Sequence, residues 1–395
     1  MLHDFSKGAC PVQTFCGSIL AVALIASSFA QASEPVTLET APEPPVLDED
    51  EPLAGAFSLE LAADVLDTTA LHWQKTHQCA ACHTLPPYLM ARPFLQAVAP
   101  EPPDVRRFFE VVVEQHLEGE PDLPADGVSA VVIQTAAALA FHDRATTGKL
   151  HPLTRQQLDQ MWTLQRADGS WEWPFRDTPP IKSDEHYGVV LAALAASAAP
   201  ENYADSPPAL QGLAGIRTYL AAHPPQSLHQ RAMLLWGAAQ MDDFISAKAQ
   251  AQTIHDLVAA QRPDGGWSLA SLTENPGDPE RQTEEGQQAR AADGHGREFL
   301  VYVGQEQVYR SSLESDGYAT GLTLYVLRQA GVAADDRCIR RGVAWLKTNQ
   351  RASGRWFTPS QSWSTQHYIS NAGTAYCVLA LHACGEIPGL RGPVE

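Results

Sequence analysis

The sequence predicts an all-α fold built from helical hairpins, and three observations lead to it. Alanine- and leucine-rich stretches with a helical period fill most of the 395-residue chain after Leu59. No stretch alternates polar and apolar residues over the length of a long strand. The pattern Gln-x-x-x-Gly-x-Trp occurs three times, at Gln165–Trp171, Gln261–Trp267 and Gln350–Trp356. Such recurrence is typical of a fold assembled from repeated units.

Each copy of this motif follows an amphipathic helix and precedes a more apolar one. The glycine suits the left-handed or turn geometry at which a helix stops. The tryptophan can cover the helix end, while the glutamine can bond the backbone groups that are left free there. The same pattern divides the chain into about six hairpins, with polar outer helices and alanine/leucine-rich inner helices that close into a barrel. The predicted hairpins are residues 59–97, 103–144, 154–198, 208–241, 247–330 and 336–384, with a polar insertion at 273–314.

The N-terminus has the features of an export signal. An apolar run from Ile19 to Phe29 precedes Ala30-Gln31-Ala32, a small-x-small cleavage site, so residues 1–32 are predicted to be a signal peptide. The run is short for a membrane span, although an uncleaved anchor remains an alternative. Residues 33–56 are rich in Pro, Glu and Asp and are predicted to form a disordered spacer before a helical domain at 57–389. The protein is therefore expected outside the bacterial cytoplasm, for example in the periplasm.

The net charge of −19 argues against a nucleic acid or an anionic membrane surface as partner.

The motif that carries chemistry is Cys79-Ala80-Ala81-Cys82-His83, the C-x-x-C-H pattern of c-type haem attachment. Two thiols add to the haem vinyl groups, and the following imidazole becomes an iron ligand. A zinc site would need a second ligand pair, and a thioredoxin-type dithiol would need a βαβ setting. The sequence therefore predicts covalent haem c, with His83 on the iron.

The sixth iron ligand is left open by the sequence. The candidates are Met90, His77, His186 and His367, or no protein group at all.

The haem motif also fits the internal repeat. Trp73, Lys75, Thr76 and Gln78 fall in the register of Trp345–Gln350, and Cys82 then stands where Gly354 stands. We therefore expect the haem to be attached at the turn of one repeat.

The Gln-x-x-x-Gly-x-Trp motifs resemble the QW motifs of squalene-hopene cyclases. The hairpins resemble the α/α toroid, an α6/α6 barrel, that those enzymes share with protein prenyltransferase β subunits. The resemblance covers roughly Leu59 to Gly385 and is specific for the fold rather than for an activity. Class II cyclases protonate their substrate with an Asp-x-Asp-Asp motif, which is missing here, so terpene cyclase activity is the least favoured function.

The resemblance to prenyltransferases extends to the inner-helix starts that hold zinc in those enzymes. Asp316 and His367 match two of the zinc ligands, but Tyr318 stands at the cysteine position, so no zinc is expected. Inner-helix starts share one rim of a toroid with the haem turn. The resemblance thus places four candidate site residues beside the haem, namely Asp184, His186, Asp316 and His367. For the aspartates, helix capping is the alternative role.

Two functions compete on this evidence. In the first, a haem oxidoreductase holds an apolar ligand, for example an isoprenoid, in the barrel mouth. In the second, the toroid is a non-catalytic binding module for a lipid or protein, and the haem is an electron relay toward an electron-transfer partner or a structural group. A disulfide between Cys338 and Cys384 is also predicted, because an antiparallel hairpin would bring both to one rim.

Overall fold

The computed structural model describes residues 36–80, 82–119, 125–174, 180–181, 185–273, 313–361 and 366–387. The predicted signal peptide, Asp184 and residues 274–312 of the predicted insertion lie outside this part of the chain. The described chain is all-α, as predicted, and consists of outer and inner helices in alternation. The outer helices are α1 (Leu59–His77), α3 (Pro103–Leu117), α5 (Pro152–Thr163), α7 (Pro207–Ala222), α9 (Ala247–Ala259) and α12 (Arg337–Thr348).

The inner helices form a closed ring. They are α2 (Leu85–Ala91), α4 (Ala125–Thr146), α6 (Glu185–Ala198), α8 (Leu228–Ala238), α11 (Gly317–Gln329) and α13 (Ile369–Ala383). Each packs on the next in this order, and α13 packs back on α2. A short helix α10 (Leu269–Thr273) and 3-10 turns at Arg92–Leu95 and Tyr203–Asp205 complete the described elements. The prediction of an α/α toroid with six helix pairs is confirmed.

Burial separates the two layers of helices. On α13 every residue from Ile369 to Leu381 is buried, whereas outer helix α9 buries only Thr253 and Leu257. Removal of apolar surface from water is the main term that favours folding, and the inner ring supplies most of it here. Among the described residues no helix combines the length and the apolar character needed to cross a membrane.

The three QW turns have one geometry. In each, the glutamine Nε2 donates to the carbonyl oxygen of the motif's own glycine and to a carbonyl oxygen of the next outer helix, at 2.8–3.1 Å. The second acceptors are Gly212 for Gln165, Cys338 for Gln261 and Ser58 for Gln350. Each glycine has a positive φ, and each tryptophan Nε1 donates to the carbonyl oxygen ten residues earlier. The roles expected for all three residue types are confirmed.

The third of these turns closes the ring, because Gln350 reaches the first outer helix. Its amide donates to Ser58 O and accepts from Ser58 N, both at 2.8 Å, and Ser58 is the N-cap of α1. The bond between the last repeat and the first is therefore of the same kind as the bonds between consecutive repeats.

The prediction of a disordered spacer is wrong for residues 36–56. With Phe57 these residues form an ordered segment, here called the N-terminal strap, which lies across the third QW turn. The buried guanidinium of Arg355 donates to the carbonyl oxygens of Pro45 and Val46 at 2.7 and 2.8 Å. The backbone of the turn also bonds the strap, through Ala352 N to Pro52 O and Ser353 N to Glu51 Oε1. The strap needs no core of its own, because its backbone satisfies polar groups of the last repeat.

Candidate functional site

The Cys79–His83 motif lies in the turn between outer helix α1 and inner helix α2, the position expected for a repeat turn. Gln78 ends α1 in the left-handed region with φ +48°. Cys82 has φ +75°, in the same region as the +96° of Gly354. Cys82 and Gly354, which align in the repeat, thus both have a positive φ. A side chain in this region is held at some cost, so the surrounding structure must fix the turn.

Inner helix α4 supplies one of these fixing contacts. The backbone N–H of Cys82 donates to Oε1 of Gln134 at 2.6 Å, and the amide of Gln134 is itself bonded to Ala130 O. Both Cys79 and Cys82 are partly exposed thiols. They lie three residues apart in a turn that is tied to the ring, with an imidazole immediately after them.

The His83 ring is held by aromatic residues of α1 and of the last repeat. It stacks on Tyr368 with centroids 5.4 Å apart at 17°, and it meets Trp73 edge-on at 5.0 Å. His77 in turn stacks on Trp73, with the two ring centroids 3.7 Å apart. The Nδ1 atom of His83 lies 3.0 Å from Oγ1 of Thr84. An imidazole whose Nδ1 is hydrogen-bonded binds a metal through Nε2. These residues therefore fit a haem iron held through His83.

The sixth-ligand candidates differ in their positions. Met90 is buried at the far end of α2, roughly 10 Å along the helix from His83, and packs in the core. This position disfavours Met90, because the thioether would have to leave the core to reach an iron on His83. His367 is buried, and its Nδ1 accepts from Ser360 N at 3.1 Å. His186 is buried near His229 on the barrel interior.

Asp316 is a helix cap, the alternative role considered for it. It is buried at the N-cap of α11, where it accepts from Ala319 N at 3.0 Å and from Leu269 N at 2.5 Å. The hydroxyl of Thr358 donates to it at 3.2 Å. Burial raises the pKa of Asp316 to about 7, against the hydrogen bonds that lower it. Asp316 thus joins α10, α11 and the third QW turn rather than facing a ligand.

The barrel interior holds a cluster of polar aromatic residues that sequence reasoning did not single out as a site. Four side chains from four inner helices form this lumen cluster: Tyr187, His229, Tyr318 and Tyr376. Nε2 of His229 lies 3.1 Å from the Tyr318 hydroxyl, and Tyr318 meets Tyr376 edge-on at 5.1 Å. The available signal was the placement of isolated tyrosines and a histidine on otherwise alanine- and leucine-rich helices.

Electrostatics connect the lumen cluster with the predicted site residues. Burial lowers the pKa of His229 to about 3, and nearby His186 lowers it further. Burial likewise raises the pKa of Tyr187, and Cys82 adds to that rise, so the turn that carries Cys82 lies close to the cluster. The structure therefore brings the described site residues of the motif and the lumen cluster to one end of the barrel.

The predicted disulfide is not formed, because Cys338 and Cys384 lie in different surroundings. Cys338 is at the start of α12, beside Asp336 and Arg341, and Cys384 follows α13, beside Arg328 and Glu386. Helices α12 and α13 both pack on α11, and α13 packs on α1 and α2 as well. Both are free thiols, and burial raises their pKa values to about 11 and about 12, respectively.

Within the described ranges no group of three or more His, Cys, Asp or Glu side chains could hold a metal ion. The Tyr318 hydroxyl, at the position where prenyltransferases have a zinc-binding cysteine, is instead bonded to His229.

The chain matches no family model and no curated protein. Among solved structures, it is similar to a glycosyl hydrolase family 88 protein from Bacteroides vulgatus. The two are 14% identical, with 84% of this chain and 92% of the other covered and a TM-score of 0.31. A similarity this low carries no argument about activity, so the assignment of the toroid rests on the helix contacts above.

Proposed function

We propose that this chain is an exported c-type haem protein in which the haem is attached at the rim of an α/α toroid and serves in electron transfer or redox chemistry. Cys79 and Cys82 would bind the haem covalently, and His83 would bind the iron. Bound haem supplies a one-electron couple. The observation that supports the proposal most is the placement of Cys79, Cys82 and His83 in one repeat turn, with His83 held by Thr84 and Tyr368.

The roles of the surrounding residues follow from their contacts. Trp73 and Tyr368 pack against the partly exposed His83 ring and fix its orientation, while Gln134 fixes the backbone at Cys82. The ligand would be apolar, for example an isoprenoid, and would lie in the mouth above the lumen cluster. His186 and His367 are the candidates to contact it. An electron-transfer protein would dock where the haem edge is exposed.

The second candidate is a non-catalytic toroid that binds a lipid or protein, with the haem as relay or structural group. The lumen cluster favours it, because Tyr376 packs edge-on against both Tyr318 and the neighbouring Trp236, and these buried rings fill the interior where a substrate would have to enter. Terpene cyclase activity stays the least favoured, since the buried Asp316 is engaged as a helix cap.

The test of the proposal is covalent haem in protein produced with a c-type maturation system. Purified protein should carry one haem that survives denaturation, and its oxidised, reduced and CO spectra should report the iron ligation. Cys79→Ser and Cys82→Ser should weaken attachment, and His83→Ala should change the spin state. Cys384→Ser, at another partly exposed thiol, is the matched control and should keep the haem. Wild-type protein without covalent haem under these conditions would refute the proposal.

The two candidates are separated by a titration with an isoprenoid alcohol, followed in the haem spectrum. If the haem acts on a ligand in the mouth, His186→Gln and His367→Gln should alter the spectral shift. His116→Gln should not, because His116 lies on outer helix α3 with Nδ1 bonded to Val112 O. A titration that leaves all the spectra unchanged would support the relay or structural role. Export is tested by the fraction in which the protein is found and by an N-terminus at Ser33.

A further inference from the structure

Thr84 occupies an unusual N-cap position at the start of α2. A threonine at an N-cap normally accepts a hydrogen bond from the backbone N–H of the second or third helical residue. Here those residues are Pro86 and Pro87, which have no N–H. The Thr84 side chain accordingly makes no capping bond, although it is 3% exposed. Its hydroxyl is directed to other partners.

Those partners come from the haem motif and from the last inner helix. Nδ2 of Asn371, on α13, donates to the Thr84 hydroxyl oxygen at 3.0 Å, and Nδ1 of His83 lies 3.0 Å from the same oxygen. A hydroxyl oxygen has two lone pairs and carries one hydrogen. With one lone pair taken by Asn371, the second lone pair is available to an Nδ1–H of His83. The hydroxyl hydrogen can then point into the adjoining cavity of about 10 Å³, which Thr69 and Arg355 also line and which is close to the size one water needs.

We propose that Asn371 is a positioning residue: by donating to Thr84 it fixes the hydroxyl oxygen beside Nδ1 of His83, and that oxygen holds His83 in the tautomer with hydrogen on Nδ1, with Nε2 as the iron ligand. This inference rests on the proposed function for its haem part. It goes beyond that function by assigning control of the iron's imidazole to the last repeat, 287 residues away in the chain.

Tyr368 also helps to position His83, because it lies just before α13 and stacks on the His83 ring. The hydrogen bond fixes the ring's protonation, and the stacking fixes its plane. Since second-layer bonds of this kind raise the basicity of a metal-bound imidazole, they lower the reduction potential of the iron. The packing of the last repeat, which closes the toroid, thereby also sets the reduction potential of the haem iron.

The experiment compares Asn371→Leu, Thr84→Val and Asn371→Asp with wild type and with Thr323→Val. Thr323 is fully buried on α11, and its hydroxyl has no hydrogen-bond partner among the described residues, so this variant controls for loss of a buried hydroxyl. Two quantities are measured: the reduction potential of the holoprotein, and the tautomer of His83 by 15N NMR in haem-free protein. The second measurement needs no haem.

Asn371→Leu, which no longer fixes the Thr84 side chain, and Thr84→Val, which removes the accepting oxygen, should both raise the potential, by roughly the 59 mV that a tenfold change corresponds to for one electron. Both should also reduce the Nδ1–H population of His83. Asn371→Asp should lower the potential, because the carboxylate accepts the Thr84 hydroxyl hydrogen and makes its oxygen a better acceptor. Potentials and tautomers that match Thr323→Val would overturn the inference. If wild-type protein takes up no haem, the proposed function fails, while the tautomer measurement still decides this inference.

Discussion

Replacement of Gly354 by alanine should destabilise the protein more than any substitution that changes only backbone preference. Gly354 has φ +96°, and a Cβ there would come closer than 3.0 Å to the carbonyl group of Leu61 on α1. A non-glycine residue at positive φ costs about 1–2 kcal/mol. The overlap adds about 1–3 kcal/mol, the usual cost of forcing extra atoms into a packed site. Gly354→Ala should therefore lower the free energy of unfolding by about 2–5 kcal/mol.

The matched control is Gly331→Ala. Gly331 has φ +86°, but a Cβ there would meet nothing within 4 Å, so only the backbone cost of about 1–2 kcal/mol applies. Unfolding in urea, followed by far-ultraviolet circular dichroism, gives both free energies. Gly169→Ala should resemble Gly354→Ala, because its Cβ would overlap the backbone of Gly215. Equal losses at residues 354 and 331 would show that close contact of the QW turn with the next outer helix is not what requires glycine.

Two further predictions concern buried charges. Because the pKa of Asp316 rises from 3.8 to about 7 on folding, its contribution to stability is fully present below pH 3.8 and is lost as the pH rises to about 7. Asp316→Asn should flatten that part of a stability-versus-pH curve, and an unchanged slope would contradict the assignment. Arg92→Met should cost about 3–5 kcal/mol in denaturant unfolding, since it strips the buried Asp67 carboxylate of its bidentate partner. Adding Asp67→Leu should recover part of the loss, and a purely additive double variant would refute this explanation.

The repeat could be predicted from the sequence because its signals are local. A glutamine, a glycine and a tryptophan at fixed spacing each act on backbone groups within one turn, and the structure gives them the roles expected. Helix pairing followed from the same spacing together with the contrast between polar and apolar helices. Asp316 shows the limit of this reasoning. The sequence left capping and site roles open, and only its burial and three donors decide for the cap.

The features that escaped prediction depend on contacts between distant parts of the chain. The acidic, proline-rich strap has no apolar pattern, and its order comes from Arg355, about 300 residues away. The Cys338–Cys384 pairing assumed that α12 and α13 pack as a hairpin, whereas each packs on other helices. The lumen cluster likewise needs four inner helices to meet. None of these long-range contacts produces a local pattern in the sequence.

The closure of the ring has a consequence for the order in which the protein matures. A chain is made from its N-terminus, so Cys79, Cys82 and His83 are synthesised long before Tyr368 and Asn371, which cover and hold the imidazole. The hydrogen bonds of the strap and of Ser58 likewise cannot form until Arg355 and Gln350 have been synthesised. An enzyme that modifies the two thiols would therefore meet an open turn in any chain whose last repeat has not yet packed against α1. Packing of the last repeat then both covers that turn and joins the two ends of the ring.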